Sequence, residues 1–179
     1  SRALIPFWNV TAHLVSMIQM SSINKLNFAS VKKNYDRDGF VILRNLLDLR
    51  ALSELRDRAL SAADELLDGN NDESAYKNII KSLDKRDPWF NHQLAQGSHV
   101  SLMKYLLNGE IEGVSAAWFD RPDGSPHGIS PHVDVIGSYR EPDAGATIWF
   151  ALDQAQIENG CLYYLRGSHK IKYPIKTFI

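Results

Sequence analysis

Near residue 110 the hydrophobic pattern of this chain changes period, and that change restricts the available folds more than any other feature. Upstream, apolar residues recur at helical spacing; downstream, short runs rich in β-branched and aromatic residues are separated by Gly, Pro and Asp turns. Ser30 to Arg37 fits a short helix that Asp38-Gly39 ends, and Phe40 to Leu43 has the length of an opening strand. Asp48 is placed to cap a long helix through Leu67, in which Leu49, Leu52, Leu55, Leu60 and Ala63 recur and after which Gly69 is a stop. Asp72 to Leu83 and Ser98 to Leu107 fit two more helices, the second ending at Asn108-Gly109, with a break between them at Asp87-Pro88. Val114 to Phe119, Ala146 to Leu152 and Cys161 to Leu165 read as strands. Helices first and strands afterwards predict an α+β domain rather than alternating βαβ units, and there is no glycine-rich phosphate loop.

Charge narrows the partners. With 20 basic against 21 acidic residues, a net charge of -1 and no long basic run, a nucleic-acid partner is disfavoured and a small or neutral substrate is expected. No repeat or flexible linker divides the chain, so one domain is expected. Cys161 is the sole cysteine, which rules out an internal disulfide and a cysteine zinc site; its apolar setting reads as a structural thiol. Leu4 to Met20 is moderately apolar, but Asn9, Thr11, His13, Ser16 and Gln19 interrupt it, short of the roughly 20 apolar residues a membrane span needs. No acidic residue precedes Asp36, whereas Arg2, Lys25, Lys32 and Lys33 do, a bias shared with organellar targeting peptides and set here against a cytoplasmic default. Translation starting at Met20 would instead make the residues before it non-native. Residues 1–27 are accordingly read as an N-terminal extension and 28–179 as the domain.

The chemistry concentrates at Ser130-Pro131-His132-Val133-Asp134. In extended backbone, residues two apart project from one face, so His132 and Asp134 could bind one ion. Nitrogen and oxygen donors suit a borderline or hard divalent metal such as Fe(II), and two His with one carboxylate leave coordination positions open. The same pair also reads as a loop histidine beside a solvated aspartate, and six histidines in the chain make a chance pairing easy.

Segments downstream of the pair add context. Gly145-Ala146-Thr147-Ile148-Trp149-Phe150-Ala151-Leu152-Asp153 is succeeded by Glu158-Asn159-Gly160-Cys161-Leu162 and by Arg166-Gly167-Ser168-His169-Lys170. Together with the Tyr35-Asp36-Arg37-Asp38-Gly39-Phe40-Val41 start, this order resembles the phytanoyl-CoA dioxygenase family over roughly residues 28 to 173. The resemblance implies a double-stranded β-helix (jelly-roll, cupin-like) core with N-terminal helices, and Fe(II) held in part by His132 and Asp134. It implies 2-oxoglutarate as cosubstrate beside Trp149, with dioxygen, and hydroxylation of a small organic or lipid-derived substrate; Trp149 also reads as an ordinary core aromatic. Asp134 argues against the halogenating relatives, which leave the carboxylate position vacant. His127 has no counterpart in the family, His169 reads as a loop brace, and Arg121, Arg140 and Arg166 read as surface charges. Trp118 and Phe119 read as core aromatics of a strand.

The family's third ligand and cosubstrate arginine come from later strands, and after His169 only Lys170, Lys172 and Lys176 are basic. The expectation is thus a C-terminally truncated, inactive piece of an oxygenase with an incomplete core. Two other readings stay open, a catalytically dead relative acting as a binding or scaffold protein and a cupin-like metal binder with other chemistry. A half-built β-helix leaves strand edges unpaired, so the 179-residue chain expressed alone is expected to associate nonspecifically in size-exclusion chromatography. A monodisperse, cooperatively melting product would count against this.

Overall fold

The computed structural model of the protein describes residues 22–67, 79–119, 132 and 145–171. Its described elements are helices α1 (Phe28–Asp38), α2 (Leu49–Leu67), α3 (Leu83–Arg86), α4 (Pro88–Gln96) and α5 (His99–Leu107), with two short strands, β1 (Ile79–Ile80) and β2 (Trp118–Phe119). Single 3-10 turns span Ile23–Lys25, Ile157–Asn159 and Ser168–Lys170.

Local chemistry sets the helix ends. Asn27 opens α1, its side chain accepting from the Ser30 amide at 3.0 Å, and Gly39 closes it in the left-handed region at φ 85°. Asp48 caps α2 through the Ala51 amide at 2.8 Å, as expected from its place in the sequence. Asp87 caps α4 through the Trp89 amide at 2.7 Å, with Pro88 in the first turn where a missing N–H costs nothing. Asn108 ends α5 in the left-handed region.

The core forms where these helices meet. Val31 of α1 is buried in one cluster with Leu102, Met103 and Leu106 of α5 and with Leu83, Trp89 and Phe90 of α3 and α4. Ile23, ahead of α1, is also fully buried. Arg58 of α2 lies over the Trp89 ring, 4.7 Å from its centroid, and Trp89 meets Phe90 edge to face at 5.0 Å. On α2 the core-facing stripe runs through Ala51, Leu55, Ala59 and Ala62, whereas Leu49, expected on that face, is 86% exposed. Three of these four positions are alanines, which counting leucines overlooks.

Other expectations need correction. Of the helix expected over Asp72 to Leu83, residues 72–78 lie outside the described residues; Ile79 and Ile80 instead pair antiparallel with Phe119 and Trp118, a partnership two β-branched residues favour, and Leu83 opens α3. Helix α4 begins at Asp87-Pro88, where the sequence predicts only a break. Of the expected strand Val114 to Phe119, only Trp118 and Phe119 are in a ladder; Asp84 receives the Ala116 amide at 2.8 Å, and the Leu83 amide donates to the Ala116 carbonyl at 2.9 Å. Phe40 to Leu43, Ala146 to Leu152 and Cys161 to Leu165 form no strand among the described residues. A strand is defined by a ladder partner, and none of the described residues supplies one.

One of these segments nevertheless has a strand's side-chain rhythm. Ala146, Ile148, Phe150 and Leu152 are half-buried against the helical core, while Thr147, Trp149 and Ala151 between them are exposed. The segment thus has an inward and an outward face. At its end, Asp153 pairs with Arg56 of α2 at 3.2 Å.

Leu102 is 1% exposed and Leu49 is 86% exposed. Leu102→Ala is therefore expected to cost about 2–5 kcal/mol in urea denaturation, whereas Leu49→Ala should change stability by less than about 0.5 kcal/mol. Equal losses at the two positions would contradict the assigned core.

Candidate metal centre

Of the expected metal pair, His132 is described and lies at the surface; Asp134 falls outside the described residues, as do His127, Arg121 and Arg140. Among the described residues no three His, Cys, Asp or Glu side chains are grouped to hold an ion. The donor types of the pair, an imidazole nitrogen and a carboxylate oxygen, do suit ferrous iron, which would still need a third protein ligand.

The remaining described histidines are poor sources of that ligand. His92 is half-buried on α4. His99, at the start of α5, is buried in the helix layer, its ring edge to face with Phe150 at 5.9 Å and its Nδ1 without a partner among the described residues. Burial pushes the His99 imidazole below its ordinary pKa, so it is held neutral within an apolar setting. His169 is occupied, because its Nε2 lies 3.1 Å from the Asp36 carbonyl and its Nδ1 side is packed against Gly39. A carbonyl only accepts, so Nε2 carries the hydrogen.

Trp149 lies on the outward face of the Ala146–Leu152 segment and is 44% exposed, away from the helical core that receives Phe150. It is not the ordinary core aromatic that the sequence equally allowed. Trp118 is half-buried against the core as expected, whereas its neighbour Phe119 is 52% exposed. Arg166 is not a bare surface charge: it approaches Asp38 at 3.7 Å.

In the sequence Asp38 stands out only as part of a turn. Its side chain is only 9% exposed and accepts a fork from Arg37, Nε to Oδ1 at 2.8 Å and Nη2 to Oδ2 at 2.6 Å. The Arg37 hydrogen bonds hold its carboxyl below the usual range against the opposing effect of burial, with Arg166 and Lys170 adding to the lowering. Its neighbour Arg37 is visible in the sequence, whereas Arg166 and Lys170 are remote in sequence and come to it only with the fold. Downstream, Asn159 folds its own turn, accepting the Gln156 amide at 2.6 Å, and Cys161 donates its amide to the Gln156 carbonyl at 3.0 Å. Cys161 is half-buried and unbridged.

The described residues thus give a helical layer beside a two-faced segment, with the Gly-Ser-His turn downstream of it. The family model for phytanoyl-CoA dioxygenase matches residues 35–178, and the chain belongs to that family. A phytanoyl-CoA dioxygenase domain-containing protein 1 homolog of Caenorhabditis briggsae is 21% identical over 79% of this chain and 65% of its own length. Phytanoyl-CoA dioxygenase 1 of rice (Oryza sativa subsp. japonica) is 28% identical over 55% of this chain and 35% of its own. The mouse (Mus musculus) phytanoyl-CoA dioxygenase domain-containing protein 1 is 43% identical over a shorter stretch, 23% of this chain and 14% of its own. The chain thus spans just under two thirds of the length of the Caenorhabditis relatives it matches. No solved structure matches it. No described helix is long and apolar enough to cross a membrane.

The buried His99 sets a pH dependence. An unfolded imidazole takes up a proton near pH 6.5, while the folded one, with its lowered pKa, resists. Stability should therefore fall as pH drops below that value and level off beneath the folded pKa. Chemical denaturation at pH 7.5 and 5.5 should show this loss, and His99→Leu should abolish most of it; an unchanged loss would assign the effect elsewhere.

Proposed function

We propose that the protein is an Fe(II)- and 2-oxoglutarate-dependent dioxygenase that hydroxylates a small organic or lipid-derived substrate, with His132 and Asp134 as two of the iron ligands. What carries this reading is that the His132-x-Asp134 pair falls inside the residues matched by the family. The outward position of Trp149 supports it further, because an exposed indole opposite the helical face can line a pocket.

The proposed domain runs from residue 28 to the end of the sequence, its helices covering one face of a double-stranded β-helix, and residues 1–27 form an extension that packs Ile23 into the same core. Bound ferrous iron would supply the site at which dioxygen couples oxidative decarboxylation of 2-oxoglutarate to hydroxylation of a C–H bond. The residues of this chain do the rest. His132 lends a neutral imidazole nitrogen and Asp134 a carboxylate oxygen, which also offsets part of the metal's charge. Trp149 flanks the cosubstrate, excludes water and narrows the pocket. Residues that recognise the primary substrate would come from loops, where related folds vary most. A cytoplasmic location is proposed.

The test is succinate release from 2-oxoglutarate by the full-length gene product under air, with and without ferrous ion. The dioxygenase reading expects release that needs both, and a loss of more than about 100-fold in His132→Ala and Asp134→Ala, beyond what losing an outer-shell partner costs. Ferrous ion bound without succinate release would instead favour a binding protein, and no ferrous binding at all would overturn the reading.

A further inference from the structure

The last four carbonyls of a helix have no partner within it, and a buried helix end must find one elsewhere. At the C-terminus of α1 the Tyr35 carbonyl is met by the Gly39 amide at 2.7 Å. Two others are met from a segment remote in sequence. The Asp36 carbonyl takes His169 Nε2 at 3.1 Å, and the Asp38 carbonyl takes the Gly167 amide at 2.7 Å. Around them Arg166 lies 3.7 Å from Asp38, whose other partner is Arg37. The cations complement the negative end of the helix dipole.

Gly39 completes the fit. Its left-handed φ of 85° disfavours any side chain, and a Cβ there would run into the His169 ring. The glycine that ends α1 is thus also the floor on which the imidazole rests.

Among the described residues, the segment held by this turn is exposed along most of its length. Leu162, Tyr163, Tyr164 and Leu165 are between 47% and 74% exposed, and the ring contact to this end of the helix layer is Tyr164 stacked on Phe40 at 5.1 Å. A segment with few buried contacts opens at low free energy, independently of the core.

We propose that the Gly167-Ser168-His169 turn is a tertiary cap for α1 that works as a clasp, fixing residues 161–171 to the helix layer and able to release them without unfolding it. His169 and Gly39 are its complementary parts, and Asp38 with Arg166 is its electrostatic brace. The clasp stands on these contacts alone and does not depend on the iron reading, so it can be tested on the metal-free chain.

Amide hydrogen exchange read by mass spectrometry on the intact chain tests it. Asp38→Asn and His169→Ala should each accelerate exchange in peptides covering 161–171 by about tenfold, while peptides from α4 and α5 keep their rates. Arg166→Ala, at a side chain 73% exposed and so unable to disturb the core, should give a smaller acceleration confined to the same peptides. Gly39→Ala should accelerate them more in the wild-type background than in the His169→Ala background, because only the first retains the clash. Unchanged exchange at 161–171 in both Asp38→Asn and His169→Ala would overturn the clasp. So would equal acceleration of every peptide, which would make the turn part of the global core.

Discussion

The arrangement depends on one-sided burial of the Ala146–Leu152 segment against the helices. Ala146, Ile148, Phe150 and Leu152 give up their water-exposed surface to the same core that holds Val31, Leu102 and Trp89, and the alternation of an extended chain turns Thr147, Trp149 and Ala151 the other way. A shift of one residue would present Trp149 to the helices and Phe150 to the outside, so the apolar pattern fixes the register. The candidate pocket aromatic owes its position to the residues on either side of it. His99 contributes from below, filling space against Phe150 as a neutral ring.

Polar side chains settle what the apolar core leaves unsatisfied. Asn27, Asp48 and Asp87 satisfy free amides at helix starts, and Asp84 reaches across to the Ala116 amide just before β2. Arg56 and Asp153 join α2 to the end of the two-faced segment, while Asp38 gathers Arg37 and Arg166 at the end of α1. The exposed pair contributes little by itself; the Asp38 group is more consequential because one partner is nearly shielded from water. Each of these contacts links the helical first part of the chain to itself or to the later segments.

How much the residues alone reveal depends on how local each interaction is. The Asp48 cap, the stop at Asp38-Gly39 and the end at Asn108 involve neighbours in sequence, and all three are legible there. The Asp87-Pro88 pair carries an equally local start signal for α4, yet the same dipeptide also reads as a break, so the cap and first turn that it forms become visible only in the structure. Strands depend on distant partners: Ile79 and Ile80 pair with Trp118 and Phe119, which no helical or alternating pattern near residue 79 could reveal. For Ala146 to Leu152 the strand-like composition is visible, yet the ladder that would make it a strand is not found among the described residues. Within the candidate site, His132 and Trp149 stand out through their order along the chain, whereas the engagement of His169 with Asp36 and Gly39 comes only with the fold.

If His132 and Asp134 hold a metal that Trp149 flanks, as proposed, an ion bound there would lie nearer to Trp149 than to Trp89 in the helical core. Manganese(II) in place of iron broadens nearby nuclear resonances with a steep dependence on distance, so the indole N–H signals of the tryptophans report directly on its location. Added Mn(II) should broaden the Trp149 signal while that of Trp89, 3% exposed within the helical core, stays sharp. A sharp Trp149 signal at saturating metal, or equal broadening of Trp89, would contradict the proposed site.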